Sequence, residues 1–448
     1  MSEKRKIFIA IAAKWSIRNL IVTKVLDQVA YKYDIVLFVN STLLESEYVP
    51  LLKRFECIFV DPYPEKLSKR IFRQLKKAFI YKGANIHTER IWKKYVSRPI
   101  YQKIGDYFIS VLLYFINFKW LFNQVDKLEW DLFKDQRFNN YFNQYSPKYL
   151  MVSLLNTPLD ESLIGSAVET NTEIRYLLMS WDHLTTKVVL NNNFSLIYLW
   201  SKINQNEVLD LYQYYKKENL HVVGPPQFTI YNSPSSIKKQ TFIEYLDISF
   251  SGNLFYYSAA PVVRHSSQDD IILELLHNWK FDKYPIHVLF KVHPLDTVEM
   301  FKKLSNHPNI TLIDNLTHNK IKNFIPAYDE ILFNRDLLFH SNININIYSS
   351  VTLEAFLLNK PVIHIAYQKI WAKNTIPCNE YYNFSHFEVI TRSEASSIVH
   401  SLDQFISCLE MYLNNHNYNR EKRLQFNSHF WGDISNDYTK NLISEMIS

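Results

Sequence analysis

The chain has 448 residues, of which 47% are hydrophobic and 21% charged, and its net charge is +6. This length and composition exclude a disordered chain and predict a folded protein of roughly two or three domains. Only six glycines are present, where an average usage near 7% would give about thirty. Because neither G-x-G-x-x-G nor a P-loop can be written from them, P-loop NTPases, dinucleotide-fingerprint dehydrogenases and protein kinases are poor candidates.

The first predicted element is a buried strand at residues 7–13, preceded by a short basic cluster. The length of its apolar run is at the lower limit for a signal peptide. No uncharged apolar stretch of the sequence approaches the ~18 residues that a membrane-spanning helix needs. Cys57, Cys378 and Cys408 are far apart and form no metal spacing, which favours a reducing compartment. We therefore expect a cytoplasmic protein without a membrane-spanning helix.

Charge is concentrated in residues 66–98, where eleven Lys or Arg and one acid give a local charge of 11 − 1 = +10. A helix is predicted at residues 67–79, and the spacing sets an apolar group against a basic group: Leu67, Ile71, Leu75, Ala78 and Phe79 against Lys69, Arg70, Arg73, Lys76 and Lys77. An aromatic, apolar segment follows at residues 107–122, interrupted by Asn117 and Lys119.

A basic amphipathic helix beside an aromatic helix is typical of a protein that rests on an anionic membrane surface. Residues 66–122 would then hold the protein peripherally on the inner face of the cytoplasmic membrane. The alternative is a solvated basic face next to an ordinary buried helix. Nucleic acid is not expected as a partner, because the rest of the chain is acidic and carries no nucleic-acid motif.

Short apolar runs alternate with helical patterns along the chain, which predicts parallel βαβ units. Strands of a first series are predicted at residues 7–13, 35–39, 57–60, 149–154, 176–179, 196–199 and 221–223. Strands of a second series are predicted at residues 247–251, 287–292, 310–313, 343–347 and 362–365. Helices are predicted between them, among others at residues 17–31, 269–279, 297–304 and 351–358.

A proline-containing stretch at residues 224–236 separates the two series and predicts a domain boundary. We expect a first Rossmann-like domain at residues 1–235, with a helical insertion at about 62–145, and a second at 236–410. Residues 394–448 are predicted to be helical, and 411–448 to pack back on the first domain. Because open parallel sheets bind ligands at the carboxyl ends of their strands, a ligand is expected in the cleft between the domains.

Two strand ends of the second domain carry the candidate donor-binding residues, namely Lys291, His293, Pro294, Ser349, Ser350, Thr352 and Glu354. A cleft-facing His293 could neutralise a leaving diphosphate. Ser349 and Ser350 open a helix, whose free N–H groups and dipole make an anion site that needs no glycine. Glu354 follows one turn later and could accept ribose hydroxyls. The alternatives are a loop histidine satisfied by backbone and a plain capped helix.

In the first domain, Trp181, Asp182 and His183 directly follow a predicted strand. Asp182 or His183 could deprotonate an acceptor hydroxyl, as a general base must. The alternatives are packing for Trp181 and capping of the next turn for Asp182. Lys14 and Arg18 follow the first strand and could meet a phosphate or an acidic acceptor.

Taken together, six stretches resemble a GT-B glycosyltransferase. They are SWDxLTxK from Ser180, LWSKINQNEVLDLY from Leu199, HVVGPPQFTIY from His221, the His-Pro pair at 293–294, YSSxxxEAxxxxKPV from Tyr348 and FNSHFWGDISNDYTKNLISEM from Phe426. The chain is similar in kind to bacterial surface-polysaccharide enzymes, including capsule Kdo- and sialyl-transferases and CDP-glycerol glycerophosphotransferases. The resemblance covers about residues 145–448, and the basic region 60–145 matches no known pattern. AAKWSIRN stands where many GT-B enzymes carry a glycine-rich loop.

The resemblance implies an α/β fold of two Rossmann-like domains that face across a cleft. It implies that His293, Ser349 and Ser350 bind the donor's phosphates, that Glu354 binds its ribose or base, and that no metal is required. The base would be a carboxylate or histidine of the first domain, which corresponds to Asp182 or His183.

The leading hypothesis is a glycosyltransferase that moves a sugar from a nucleotide-activated donor to a surface-glycan or lipid-linked acceptor. One alternative is a CDP-polyol phosphotransferase that uses the same cleft. A nucleotide-sugar 2-epimerase shares the architecture but would not need the insertion at 66–122. A non-catalytic GT-B scaffold would tolerate the loss of the cleft residues.

Overall fold

A computed structural model describes residues 4–45, 48–132, 135–314, 328–432, 435 and 437–448. The chain divides into two compact units. The first unit consists of Met1–Glu89, Arg98–Thr229 and Phe430–Ser448, and the second of Arg90–Ser97 and Ile230–His429. The chain thus changes unit after residue 229, where a boundary near 235 is expected. Of the C-terminal residues expected on the first domain, those from 430 onward belong to the first unit and those before it to the second.

The described part of the first unit contains a parallel sheet. Its strands are β1 (Lys6–Ile11), β2 (Asp34–Asn40), β3 (Glu56–Val60), β4 (Tyr149–Val152), β5 (Glu173–Leu177), β6 (Leu196–Leu199) and β7 (Leu220–Val222). The order is β3-β2-β1-β4-β5-β6-β7, so Ile9 of β1 pairs with Leu37 on one side and Met151 on the other. The central strands are almost continuously apolar and buried, as parallel strands covered by helices on both faces require.

The described part of the second unit contains another parallel sheet. Its strands are β8 (Asn253–Ser258), β9 (Ile286–Lys291), β10 (Ile310–Ile313), β11 (Ile343–Asn346), β12 (Val362–Ile365) and β13 (Ser397–Val399). The order is β10-β9-β8-β11-β12-β13. Its core packs Phe255 and Phe290 of the sheet against Ile271 and Leu275 of the following helix.

The helices cover both sheets and form the insertion. They are α1 (Lys14–Ile17), α2 (Val25–Val29), α3 (Val49–Leu52), α4 (Leu67–Gly83), α5 (His87–Tyr95), α6 (Ile100–Phe115), α7 (Phe118–Leu132), α8 (Asn139–Tyr145), α9 (Pro158–Glu169), α10 (His183–Thr186), α11 (Lys202–Leu211), α12 (Lys239–Tyr245), α13 (Gln268–Asn278), α14 (Tyr328–His340), α15 (Val351–Leu357), α16 (Glu388–Ser393), α17 (Leu402–Asn414), α18 (Arg420–Trp431) and α19 (Tyr438–Ile447). Shorter 3₁₀ helices lie at Ser41–Glu45, Lys217–Asn219, Pro226–Asn232, Val298–Leu304 and Cys378–Asn383. Helices α4 to α8 stand between β3 and β4, which confirms the α/β class with a helical insertion in the first domain.

One predicted strand is wrong. Residues 247–251 do not form a strand, because Asp247 takes a left-handed conformation (φ 56°) and ends α12. The amide of Ile248 then bonds back to the carbonyl of Ile243 at 3.1 Å, which is the closure of a Schellman motif. The strand of this region is β8, six residues later.

Two further elements differ from expectation. The helix predicted at 17–31 is broken into α1, a π-helix at Arg18–Val22 and α2, because Lys24 is left-handed (φ 61°). The hydroxyl of Thr23 donates to the carbonyl of Asn19 at 2.6 Å at this break. Strand β13 falls in a segment predicted to be helical, and its three residues pair with β12 at the edge of the sheet as the structure describes it.

The basic helix α4 is present, but its apolar and basic groups do not form one buried and one exposed face, since Phe79 and two of the lysines are all buried. Leu67 and Ile71 are 70% and 49% exposed, whereas Lys69 and Lys76 are buried. The reason is that α7 and the segment after it present acids to α4, so that its two buried lysines lie in ion pairs. The basic side chains of this helix are therefore not a single solvated face.

Among the described residues, no single helix is long and apolar enough to cross a membrane. Only the pair Gln102–Phe115 and Phe118–Trp130 would reach that length and composition together, and the two helices are bent by 117° at their break.

Candidate functional site

A row of polar side chains crosses the carboxyl edge of the second unit's sheet. The register aligns Lys291 of β9, Ser258 of β8, Asn346 of β11 and His364 of β12 as successive neighbours. The Nδ1 of His364 and the Oδ1 of Asn346 are 3.0 Å apart, and Asn346 donates to Asn344 at 2.7 Å. Since these groups are buried, the network fixes the strand ends from which the loops depart.

The loop after β8 is clamped by Gln268, the first residue of α13. Its side chain bonds both the amide and the carbonyl of Ala260, at 2.8 and 2.7 Å. The amide of Val262 donates to Asp296 at 2.8 Å, which ties this loop to the loop after β9. The clamp holds the loop that carries Arg264.

His293 lies in the loop after β9, as predicted. Its Nδ1 accepts the amide of Leu295 at 3.1 Å, so the neutral ring carries its proton on Nε2. Burial lowers the pKa of His293, and the positive charges of Arg264 and Lys291 act in the same direction against Asp296. The ring is therefore a neutral N–H donor at pH 7. Of its neighbours, Pro294 is exposed and Lys291 donates to Asn334.

Tyr348 joins β11 to α15 in a left-handed conformation with φ 54°, where a glycine is more usual. Its ring is held by stacking on Tyr381 at 5.2 Å and by edge contacts with Phe384 at 5.2 Å, and its hydroxyl bonds His386. The positive charge of Arg264 acts on Tyr381. The loops after β8, β9 and β11 thus meet around these residues.

The predicted residues of α15 have different surroundings. Ser349 accepts the amide of Val351 at 3.3 Å, whereas Ser350 precedes the helix without a side-chain capping bond. The carboxylate of Glu354 accepts the hydroxyl of Tyr231. Thr352 is fully buried and accepts from Asn346 at 3.2 Å, so it supports the strand end rather than facing a ligand.

In the first unit, the ends of β1, β4 and β5 are neighbours. The hydroxyls of Ser16 and Ser153 lie 2.8 Å apart, and the ring of Trp15 lies 6.4 Å from that of His183. Burial lowers the pKa of His183 to about 4, so the ring is neutral at pH 7. Lys14, which is exposed, belongs to the same edge, and its ammonium lies 5.8 Å from the ring centre of Tyr48.

Arg18 is half-buried at the start of the π-helix, and Trp181 and Asp182 are the two further predicted residues of this unit. Trp181 is buried and packs edge-on against Phe430 at 6.1 Å. The carboxylate of Asp182 accepts the hydroxyls of Ser180 at 2.5 Å and Thr186 at 3.0 Å, but it makes no capping bond to a backbone amide of α10.

Two charged residues near these sites were missed by the sequence analysis. Arg264 lies in the loop after β8. That strand was predicted at residues 247–251, so the loop after it was predicted too early in the chain. Glu207 lies in α11, where burial, together with the charge of Asp182, raises its carboxyl pKa to about 7. Asn204 donates to Glu207 at 2.8 Å and to the carbonyl of Trp181 at 2.9 Å. Glu207 ends the LWSKINQNE stretch, and the resemblance of that stretch to GT-B enzymes could have indicated this residue.

Within the described ranges, no group of three or more His, Cys, Asp or Glu side chains is placed to hold a metal ion. The expectation of a reaction without a metal stays a prediction.

No protein-family model and no curated protein matches the chain. Solved structures do match along the whole chain. The UDP-GlcNAc 2-epimerase of Methanocaldococcus jannaschii is 13% identical with a TM-score of 0.54, and 99% of each chain is covered. The UDP-GlcNAc 2-epimerase of Neisseria meningitidis, bound to UDP-GlcNAc, is 11% identical with a TM-score of 0.55, again over 99% of each chain.

A glycosyltransferase from Rickettsia africae is 11% identical with a TM-score of 0.50, over 100% of this chain and 99% of that chain. At such identities the likeness shows the fold alone. It confirms an α/β fold of two GT-B-like domains. The narrower resemblance to capsule enzymes stays a prediction.

Proposed function

We propose that this chain is an enzyme that acts on a nucleotide-activated sugar and transfers the sugar to a glycan or lipid-linked acceptor. The observation that supports the proposal is that the positive charges of Arg264 and Lys291 act on His293 at the carboxyl edge of the second unit's sheet. Two cations beside a neutral N–H donor suit the diphosphate of a nucleotide sugar.

In this reaction the bond between the anomeric carbon and the diphosphate breaks, and negative charge grows on the leaving oxygen. Arg264 and Lys291 would stabilise that charge, and the Nε2–H of His293 would donate to it. The hydroxyl of Ser349 accepts one amide and keeps its own proton for a phosphate oxygen, with Ser350 beside it. These groups replace the glycine-rich loop that the composition excludes.

The nucleoside would lie against Glu354, whose carboxylate already accepts the hydroxyl of Tyr231. A carboxylate has about four acceptor positions, so ribose hydroxyls can donate to those that remain. Tyr348 and Tyr381, stacked at 5.2 Å, present aromatic surface near the same loops.

Transfer also needs a base for the acceptor hydroxyl, which we place on the first unit. Asp182 and His183 are the proposed catalytic residues, with Lys14 and Arg18 on the acceptor side. Glu207 is a further candidate, because a carboxyl whose pKa is about 7 can exchange a proton at neutral pH.

A nucleotide-sugar 2-epimerase is the second candidate, since the two epimerases named above align with 99% of both chains. Epimerisation requires no acceptor. The two reactions are distinguished by proton NMR of UDP-GlcNAc incubated with the full chain. An epimerase produces the anomeric signal of the 2-epimer without acceptor, whereas a transferase leaves that substrate unepimerised.

The binding site is tested by calorimetric titration of the full chain with UDP, UMP and UDP-GlcNAc, preceded by a thermal-shift screen that adds CMP-, CDP- and GDP-linked ligands. We expect diphosphates to raise the Tm more than the monophosphate does. His293→Ala should weaken diphosphate binding about tenfold or more, because a hydrogen bond to a charged group is lost.

The matched control is His307→Ala. The Nδ1 of His307 also accepts an amide two residues later, that of Asn309 at 3.2 Å, and burial also lowers its pKa. His307 precedes β10 and so lies at the opposite edge of the sheet, and its replacement should leave the affinity unchanged. Equal affinity of His293→Ala and the wild type, or a Tm that no nucleotide raises, would contradict the proposed site.

A further inference from the structure

Helix α6 carries an apolar stripe that the domain does not cover. The side chains at i, i+3, i+4 and i+7 positions along it are apolar and 37–85% exposed, namely Ile100, Ile104, Tyr107, Phe108, Val111, Leu112, Tyr114 and Phe115. Exposed apolar surface of this extent is unusual for a domain in water and marks a place of interaction. We name these eight residues the α6 stripe.

The opposite side of α6 faces the domain. Ile109 and Leu113 are half-buried, and Lys82 of α4 donates to the carbonyl of Asp106. Arg98 forms an ion pair with the carboxylate of Asp106. These contacts fix the rotation of α6 and direct the α6 stripe outward.

Lysines and arginines stand next to exposed apolar residues along the sequence of helices α4, α6 and α7. The pairs of adjacent residues are Lys66 and Leu67, Arg70 and Ile71, Lys103 and Ile104, Lys119 and Trp120, and Lys127 and Leu128. Three acids whose side chains the structure describes point inward instead: Asp126 and Glu129 bond Lys76, and Glu65 bonds Arg73. The outer surface is therefore apolar with a cationic border.

We propose that the α6 stripe and its cationic border dock the protein on an anionic lipid bilayer, with α6 lying in the headgroup region. Apolar side chains would enter the acyl boundary while the cations meet lipid phosphates, as in interfacial amphipathic helices. A second copy fits less well, because pairing two identical stripes would bring like charges together. The proposal goes beyond the proposed function and does not depend on it.

The contacts of α7 favour docking of the protein on the bilayer surface over insertion of α6 and α7 across the bilayer. Asp126 of α7 is buried 2.9 Å from the ammonium of Lys76, and Glu129 pairs with the same group. Moving α7 into lipid would break this buried cluster and expose its charges to hydrocarbon. α6 alone can meet the membrane with the domain intact.

The test is flotation of the full chain with vesicles of phosphatidylcholine alone or with about one-quarter phosphatidylglycerol. We expect the mixed vesicles to bind about tenfold more strongly or better. Phe108→Ser combined with Phe115→Ser should lower that binding about tenfold or more. The matched control replaces two exposed apolar residues elsewhere, Tyr31→Ser with Met300→Ser, and should bind as the wild type does.

A second pair of variants tests the cationic border. Arg70→Glu with Lys103→Glu should reduce binding to mixed vesicles to the level of neutral ones. Lys217→Glu with Lys238→Glu, both at exposed positions outside helices α4 to α7, should not. These positions are exposed, so circular dichroism should show all variants folded.

The proposal is overturned if Phe108→Ser with Phe115→Ser floats like the wild type, or if the wild type binds neither vesicle or both equally. Light scattering identifies the competing occupant. A wild-type dimer that the same two serines convert to a monomer, without vesicle binding, would assign the stripe to a second copy of this chain.

Discussion

Lys76 is 5% exposed, and its ammonium lies 2.9 Å from Asp126 and also pairs with Glu129. Burial by itself would lower the pKa of Lys76, but the two carboxylates outweigh it and raise that pKa. The second oxygen of Asp126 accepts the amide of Asn192 at 3.0 Å. This buried cluster is therefore charged and fully bonded at Asp126, and it joins α4 and α7 to the loop before β6.

Lys76→Ala should lower the free energy of unfolding by about 3–5 kcal/mol, because two buried carboxylates lose their partner. Lys66 is exposed and directly precedes the same helix. The free energy of unfolding of Lys66→Ala should therefore stay within about 0.5 kcal/mol of the wild-type value. Urea unfolding followed by circular dichroism measures both. If the two variants unfold at the same urea concentration, the cluster does not stabilise the fold as described.

For single residues, the sequence predicted positions along the chain better than it predicted surroundings. Lys291 and His293 do stand at a strand end, because apolar runs and their polar ends are visible in the sequence. Thr352 and Trp181 are buried instead, since a spacing does not reveal which way a side chain points. Arg264 was missed because the preceding strand was placed six residues too early.

Helices α4 and α7 cross closely at Gly83. A Cβ placed on Gly83 would come within 2.3 Å of the side chain of Phe118, the first residue of α7. Gly105 of α6 is the opposite case, because nothing lies within 4 Å of a Cβ placed there. Gly83 therefore has a packing reason to be glycine, whereas the space around Gly105 would accept a side chain.

Gly83→Ala should destabilise the protein by about 1–3 kcal/mol, because the added methyl group overpacks the crossing. Gly105→Ala should instead stabilise it by about 0.5–1 kcal/mol, since alanine costs less backbone entropy in a helix. Thermal unfolding by calorimetry compares them. A Gly83→Ala variant that is as stable as the wild type or more stable would contradict the close crossing.

For whole elements, the 3.6-residue period predicted that α4 is a helix with two faces. It did not predict which face is inward, because that depends on the acids that α7 and Glu161 present. Arg73 of α4, for example, donates to the carboxylate of Glu161 in α9 at 2.8 Å. The basic side of α4 was expected to be solvated or to meet a membrane, whereas ion pairs with distant segments bury Lys69 and Lys76.

The whole molecule shows how a chain with few glycines builds its turns. Among the described residues, ten that are not glycine have positive φ, and five of these are asparagine: Asn85, Asn171, Asn359, Asn374 and Asn419. Asparagine tolerates the left-handed region better than other residues do. The parallel α/β fold was predictable because its pattern does not depend on glycine, whereas the individual left-handed turns were not.

The histidines give the whole molecule an acid-sensitive stability. Burial lowers the pKa of seven described histidines, namely His183, His265, His287, His293, His307, His340 and His364. Below about pH 6.5 the unfolded chain binds protons that the folded chain does not, so the free energy of unfolding decreases as the pH is lowered. Asp160 and Glu207 act oppositely, because burial raises their pKa to about 7.

His364 has the largest effect to test, because burial lowers its pKa to about 3. His364→Asn keeps a donor for Asn346 and removes the titration. Between about pH 6 and 4, its unfolding free energy should fall less steeply than that of the wild type, by up to about 1.4 kcal/mol per pH unit. The control, His416→Asn at an exposed position, should keep the wild-type slope. Urea unfolding at a series of pH values measures these slopes, and parallel curves for His364→Asn and the wild type would show that His364 titrates alike in both states.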